Sequence, residues 1–450
     1  MRPGKLTARD LAAALAAAGG IASPAELIER LHISQPTLSR LTRETGSGIT
    51  AIGRGKATRY ALLRDIHGTS SNFAVYQVAA DGKIARHGDL LALHGGRMLM
   101  RRFDGLETLH DSLPWFIDDM RPQGFLGRLF ARQAARLGVP ADPREWSADD
   151  TLFALSQMGE NCVGNLILGD IALARHLHVD VQAARPVTRG DYPALALATL
   201  AGELPGSSAG GEQPKFACTT TDTQGQQRHV IVKFSPPAAD SPAGRRWADL
   251  LICEHLALNI LVAAGWPAAK SELLEAGGRV MIEVERFDRT AEGRIGIVSG
   301  AAIEAEYVGG ATTWSTLGTA LGDMGRLAPE DAERLVCLEL FGGMIGNSDM
   351  HLGNISFFTE DRFALAPSYD MLPMRYAPVG RGELLPDATA PSIPAVSWQN
   401  RHPWRNAAVL AKRFWERIRT DPGMGGRMND IASVALTSLA QACTACERLK

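Results

Sequence analysis

Cysteine is scarce in this 450-residue chain: there are six, and only Cys443 and Cys446 lie close together. One pair without a second pair or histidines beside it excludes a disulfide framework and falls short of a zinc site. These cysteines read as ordinary helix positions. No apolar run reaches the length needed to span a bilayer. The Ala-rich stretch Leu11–Gly20 is short, follows Arg9-Asp10 and leads into a further helical pattern, so it reads as a helix and not a secretion signal. A strong charge of one sign is missing as well, the formal net charge being −2. That argues against a general attraction to nucleic acid or membrane, and the chain is expected to be cytoplasmic. The glycine-rich stretch "GELPGSSAGGEQPKF" (Gly202–Phe216) lacks two familiar endings. It has neither the Lys-Ser/Thr of a Walker A loop nor Gly-x-Gly-x-x-Gly.

What is present is enough for two or three domains. The hydrophobic content of 45% and charged content of 21% are ordinary for a globular protein. The charge is unevenly spread. Residues 1–65 hold ten Lys/Arg against five Asp/Glu, and the remainder holds 37 against 44. In this basic head an Ala/Leu helix after Thr7 stops at Gly19-Gly20, and Ser23, Pro24 and Glu26 open a second helix with a capping box. Ser34 can cap a third, "QPTLSRLTRE", whose Leu38 and Leu41 face a core and leave Gln35, Thr37, Ser39, Arg40 and Arg43 outside. "GITAIGRGKATRYAL" then reads as two short strands with Arg54, Lys56 and Arg59 at or near the turn. The order resembles a winged helix-turn-helix, in which the third helix enters the major groove and the wing touches phosphate. A small helical domain for protein contact is the competing reading.

From about residue 70, "NFAVYQVAADGKIARHGDLLAL" alternates like strands around an Asp-Gly turn, and Leu113–Leu177 reads as mainly helical. After the glycine-rich stretch, Lys215–Cys218 and His229–Phe234 read as a hairpin that carries Lys233. A glycine-rich loop beside a strand lysine is how protein-kinase-like enzymes cover ATP phosphates, although a surface lysine fits the sequence too. In "RRWADLLICEHLALNILVAAG", Glu254 falls among Trp247, Leu250, Leu251, Leu258 and Leu261 on the apolar face of a helix. A carboxylate there is costly unless a cation meets it, and Lys233 is the natural candidate; snorkelling to water is the alternative. Val280–Val284 reads as an apolar strand that ends in a charged turn.

The richest constellation is "GNSDMHLGNISFFTEDRFALAPSYDM". "ISFF" and "FALA" form a hairpin whose open ends bring Asp349, Asn354 and Asp370 together. Two carboxylates and an amide oxygen suit Mg2+. Phosphoryl transfer uses this set, with Asp349 as base and Asn354 and Asp370 as metal ligands. His351 reads as a structural support. A polar turn is the competing reading of any one of these residues.

With "SSAGGEQPKF", "VKF", "CEHLALNIL", "VERFDR", "GNSDMHLGN" and "PSYDML" in view, the chain resembles the HipA family of serine/threonine kinase toxins. The added head resembles that of the YjjJ-type branch. The resemblance implies an α+β, two-lobed kinase-like fold behind a winged helix-turn-helix. The expected units are 1–66 for the head, 67–190 for a β-rich then helical region, 191–290 for the kinase N-lobe and 291–450 for a helical C-lobe. It implies ATP and Mg2+, a protein hydroxyl as acceptor and DNA contact through the head. It further implies phosphate contacts from Ser207, Ser208, Ala209, Gly210, Gly211 and Lys233, and adenine contacts from Glu285 and Phe287 with Asp288 nearby. Autophosphorylation is expected on the loop, at Ser207 by the closer match or at Ser208. An antitoxin partner or regulation within the chain, and a homodimer, complete the expectations. A small-molecule phosphotransferase and a transcriptional regulator with a ligand-sensing body are the alternatives.

Overall fold

The computed structural model describes residues 6–181, 187–202, 213–221, 225–359, 362–379, 382–384 and 389–448. The head begins with α1 (Ala8–Ala17), β1 (Ile21–Ala22), α2 (Pro24–Leu31) and α3 (Gln35–Thr45). It closes with β2 (Ile49–Ile52) and β3 (Arg59–Leu62), in a sheet of order β1-β3-β2. The capping box is present: Glu26 N–H donates to Ser23 Oγ at 3.2 Å and Ser23 N–H to Glu26 Oε2 at 2.7 Å. α2 ends where His32 takes a left-handed backbone, φ 51°, which turns the chain into the third helix. Leu11, Leu15, Leu27, Leu38 and Leu41 form the fully buried centre.

The second unit is a five-stranded antiparallel sheet of β4 (Asn72–Val78), β5 (Ile84–Ala92), β6 (Met98–Arg102), β7 (Glu107–His110) and β8 (Leu166–Leu168), ordered β7-β6-β5-β4-β8. Helices Gly124–Ala134 and Ala148–Met158 cover it, with Val75, Leu90, Met98 and Leu152 in the core. The sequence, which reads as mainly helical over Leu113–Leu177, gives no sign of β8. Three apolar residues give no period, and only pairing with β4 makes them a strand.

The head is docked on this sheet. Ile52 and Ala61 share an apolar cluster with Leu91, Leu93 and Leu99. Gly20 shows how close the contact is: a Cβ there would meet the His94 carbonyl oxygen at 2.5 Å. Arg101 donates to the Ala51 carbonyl at 2.8 Å and pairs with Glu107, which accepts the Gly53 N–H at 2.7 Å. The join across residues 63–71 is tied along its length. Leu63 bridges Leu93, Arg64 pairs with Asp149, and His67 bonds Asp150 and stacks on Phe153.

The third sheet comprises β9 (Lys215–Thr221), β10 (Gln227–Phe234), β11 (Ser271–Ala276) and β12 (Arg279–Glu285), ordered β11-β12-β10-β9. β12 is buried on both faces because helix Tyr192–Ala201 lies on one side and the long helix Pro242–Ala263 on the other. The buried Glu283 within it is met by Arg189, Arg228 and the Tyr192 hydroxyl. The last unit packs helices Trp314–Asp323, Pro329–Ile345, Arg401–Thr420 and Gly426–Arg448 around Phe341, Trp404, Phe414 and Trp415. It carries a small sheet of β13 (Ile297–Ser299), β14 (Ser356–Thr359) and β15 (Phe363–Leu365), in that order.

Candidate active site

Lys233 lies on β10 opposite Lys215 of β9 and Ile282 of β12. Its ammonium donates to both Glu254 oxygens, at 2.6 and 2.8 Å, and to Asp370. Glu254 is fully buried in the middle of the long helix, and Lys233 is 6% exposed. Burial alone would lower the Lys233 pKa, but the charges of Asp370 and Glu254 outweigh it and raise the pKa. For Asp370 burial pushes upward, and Lys233 together with Lys215 overcomes it, holding this carboxyl at about 2. Burial pushes Glu254 above the usual carboxylate range, against the pull of Lys233. One ammonium therefore bridges two acids that come from different lobes.

The helix Pro329–Ile345 stops at Gly346, whose φ of 80° turns the chain into the loop. Asn347, 8% exposed, follows. Its side-chain oxygen accepts the Asp349 N–H at 3.0 Å, and its amide donates to the Asp370 carbonyl at 3.3 Å. Asn354 donates from Nδ2 to the Asp349 carbonyl at 2.6 Å, leaving its side-chain oxygen for another partner. The Asp349 side chain is 55% exposed, with His351 Nε2 3.8 Å away. His351 itself accepts the Gly353 N–H at 3.0 Å and its carbonyl receives Trp314 Nε1 at 3.0 Å, a supporting arrangement. At the other end of the β14–β15 hairpin, Tyr369 donates to the Gly353 carbonyl at 3.1 Å. Asp370 has a left-handed backbone, φ 52°, which costs a residue other than glycine about 1–3 kcal/mol and clusters at functional sites.

Asn347 and Tyr369 were missed by sequence reasoning. The available signal was Asn-x-Asp, an Asx turn in which the side chain bonds the backbone two residues on.

Glu285 closes β12, its N–H donating to the Lys270 carbonyl at 2.9 Å. Phe287 packs its ring against Tyr369 at 5.7 Å and Phe358 at 6.2 Å, which puts it beside the hairpin. Asp288 is spent elsewhere. It is 4% exposed, receives Arg286, Arg289 and the Gly164 N–H, and joins this segment to the second unit. Burial pushes its pKa up, but the two arginines prevail and hold it low.

Ser207, Ser208, Ala209, Gly210 and Gly211 lie outside the described residues. The residues just after them are anchored at the site: Gln213 donates to the Phe234 carbonyl at 2.7 Å, and Phe234 N–H donates to Pro214.

In the head, Gln35, Arg43, Arg54, Lys56 and Arg59 are exposed, while Thr37, Ser39 and Arg40 are half-buried. Arg40 is engaged by Glu44 at 2.5 Å and by the Leu6 carbonyl at 3.3 Å. Arg43 donates to the Ser39 carbonyl at 3.2 Å, and Thr37 bonds Ser34 at 3.0 Å.

Among the described residues no group of three His, Cys, Asp or Glu side chains is suited to a metal. The Asp370 carboxylate and the Asn354 amide oxygen are still the hard donors that Mg2+ takes when phosphates and water complete its shell. No described helix is long and apolar enough to cross a membrane.

Residues 69–177 match the family described as YjjJ-like toxin, middle domain, and residues 207–442 match the HipA-like C-terminal domain. Toxin YjjJ of Escherichia coli strain K12 is 38% identical over 420 residues, covering 92% of this chain and 94% of that protein. The fold is similar to that of HipA from Shewanella oneidensis MR-1, solved with HipB and operator DNA. That match has a TM-score of 0.52 at 16% identity over 83% of this chain and 97% of the other. A Helicobacter pylori proinflammatory kinase, CtkA, matches at a TM-score of 0.35, with 14% identity over 52% of this chain and 94% of its own. Matched in its middle and its C-terminal half, and related over nearly its whole length to one such toxin, the chain belongs to the HipA/YjjJ-like toxin family and has its α+β, kinase-like fold.

Proposed function

We propose that this protein is an ATP- and Mg2+-dependent serine/threonine protein kinase that also contacts DNA through its head. The observation that carries the reading is the bridge of the buried Lys233 to Glu254 and Asp370, residues 21 and 137 positions away in the chain. A lysine fixed between a helix acid and a late aspartate is poised to meet ATP phosphates, as in kinases. Phe287, just past β12, borders the same hairpin, and with Glu285 at the end of that strand it suits the adenine side.

In the proposed reaction a substrate serine or threonine oxygen attacks the γ-phosphorus. Asp349 orients that hydroxyl and accepts its proton, the bond from the γ-phosphorus to the bridging oxygen breaks, and ADP leaves. Lys233 binds the phosphates. Asn354 and Asp370 would hold Mg2+, which when bound neutralises phosphate charge. The half-exposed Asp349 leaves room for a protein segment to approach. The same activity would phosphorylate Ser207 or Ser208, where added negative charge opposes ATP binding and silences the enzyme.

The solved HipA relative was crystallised with HipB and operator DNA; here the exposed Gln35, Arg43, Arg54, Lys56 and Arg59 would meet DNA from within the same chain. An antitoxin partner, a homodimer on the DNA and a cytoplasmic location belong to this reading.

Labelled ATP and a cell lysate, with wild type against Asp349→Ala, test the enzyme. Labelled proteins and self-labelling at Ser207 or Ser208 are expected with wild type, and a loss of at least about 100-fold with the variant. Absence of any labelled protein, the enzyme included, would sink the proposal.

A further inference from the structure

We propose that Asn347 is a positioning residue, a single clamp that sets both Asp349 and Asp370. The inference rests on the kinase reading above. Asn347 is 8% exposed, and its side chain has one acceptor and one donor group, each used on the backbone of a different candidate acid. The oxygen receives the Asp349 N–H and fixes where the loop turns outward. The amide donates to the carbonyl of Asp370, the residue whose backbone is left-handed without being glycine. It also reaches Met371 Sδ at 3.8 Å, so the neighbouring residue is held as well.

Helix Pro329–Ile345 delivers the clamp, because Gly346 turns the chain and Asn347 N–H donates to the Gly342 carbonyl at 2.8 Å. The two acids come from opposite ends of a hairpin, and no other described side chain bonds the backbone of both. Displacement of a reacting group by about 1 Å can cost about 100-fold in rate. Asn347 therefore acts on turnover and metal affinity through geometry, without touching substrate.

The test compares wild type, Asn347→Ala and Asn347→Asp by three measurements. These are kcat and KM for ATP in self-phosphorylation, Mn2+ affinity by electron paramagnetic resonance with a non-hydrolysable ATP analogue, and the thermal midpoint. Asn347→Ala is expected to lower kcat about 100-fold and weaken Mn2+ binding about tenfold, with the ATP KM changed less than about threefold. Asn347→Asp keeps the acceptor and loses the donor, so it should weaken Mn2+ while retaining more turnover than Asn347→Ala.

Wild-type kcat and Mn2+ affinity in Asn347→Ala would overturn the proposal, as would losses that vanish once corrected for the folded fraction. If Asn347→Ala does not fold, Asn347→Asp decides: unchanged Mn2+ affinity overturns the clamp, and weakened affinity in a folded protein supports it. A wild type that binds Mn2+ and nucleotide without transferring phosphate refutes the kinase reading alone, and the clamp is then judged by Mn2+ affinity. A wild type that binds neither overturns both.

Discussion

Lys233 faces two acids at once, so removing it would do more than remove the proposed phosphate contact. Lys233→Met leaves the buried Glu254 and the partly exposed Asp370 without their cation, and stranding a buried acid in this way costs about 3–5 kcal/mol. Lys233→Met with Glu254→Met takes away one of the stranded charges. The double variant should unfold at a higher urea concentration than Lys233→Met, while both lack phosphoryl transfer. Asp370 has a pH signature with a definite sign. Its folded pKa, about 2, lies below the ordinary carboxyl value, so its stabilising contribution is present above roughly pH 4–5 and is lost as pH falls through 2. The stability gap between wild type and Asp370→Asn is thus expected to be level near neutrality and to shrink in acid, as read by denaturant midpoints from pH 6 down to 2.5. Some of this was legible in sequence. A glutamate on an apolar helix face demands a cation, and Lys233 stood nearby. Its bond to Asp370 was not legible, because a left-handed turn 137 residues away brings that acid into place.

Asp288 shows what an element boundary leaves open. Its position after a strand invites a nucleotide role, and in the structure it forms a clasp with Arg286 and Arg289. Arg289 donates to the Gly164 and Cys162 carbonyls, and Gly164 returns its N–H to Asp288. Burial pushes the Arg289 pKa down, and Asp288 opposes it. Asp288→Ala is expected to cost about 3–5 kcal/mol of stability by stranding the arginines. Corrected for folded fraction, its ATP KM should stay within a few-fold of wild type; a rise above tenfold would return Asp288 to the nucleotide. The hairpins β4–β5, β9–β10 and β14–β15 were readable from alternation and turn residues. β8 was not, since a three-residue strand exists only through its neighbour.

Across the whole molecule the head and the body behave as one piece. The charge asymmetry in the sequence set the basic head apart from the acidic remainder, and nothing in alternating strands revealed that Leu91, Leu93 and Leu99 carry a docked wing on their outer face. The Arg64–Asp149 and Arg101–Glu107 pairs are partly exposed and contribute at most about 1 kcal/mol each, so the apolar seam holds the docking. Leu93→Asp puts a charge into that seam. Limited proteolysis should then cut within residues 63–71 and release the head, while wild type resists. Equal resistance in both would show that the seam is not what joins them.

The tied join has a further consequence on DNA. A head on a slack tether would let its body swing to any side of the duplex; bound to DNA as proposed, this head would transmit the helical phase of its site to the whole molecule. Two copies on neighbouring sites would keep a fixed dihedral between their Asp349 mouths. Inserting about five base pairs, half of the 10–10.5 in a turn, would swing one mouth to the opposite side of the duplex. Spacing along the DNA would thereby become a compass bearing, deciding whether one copy's proposed catalytic loop could reach the other.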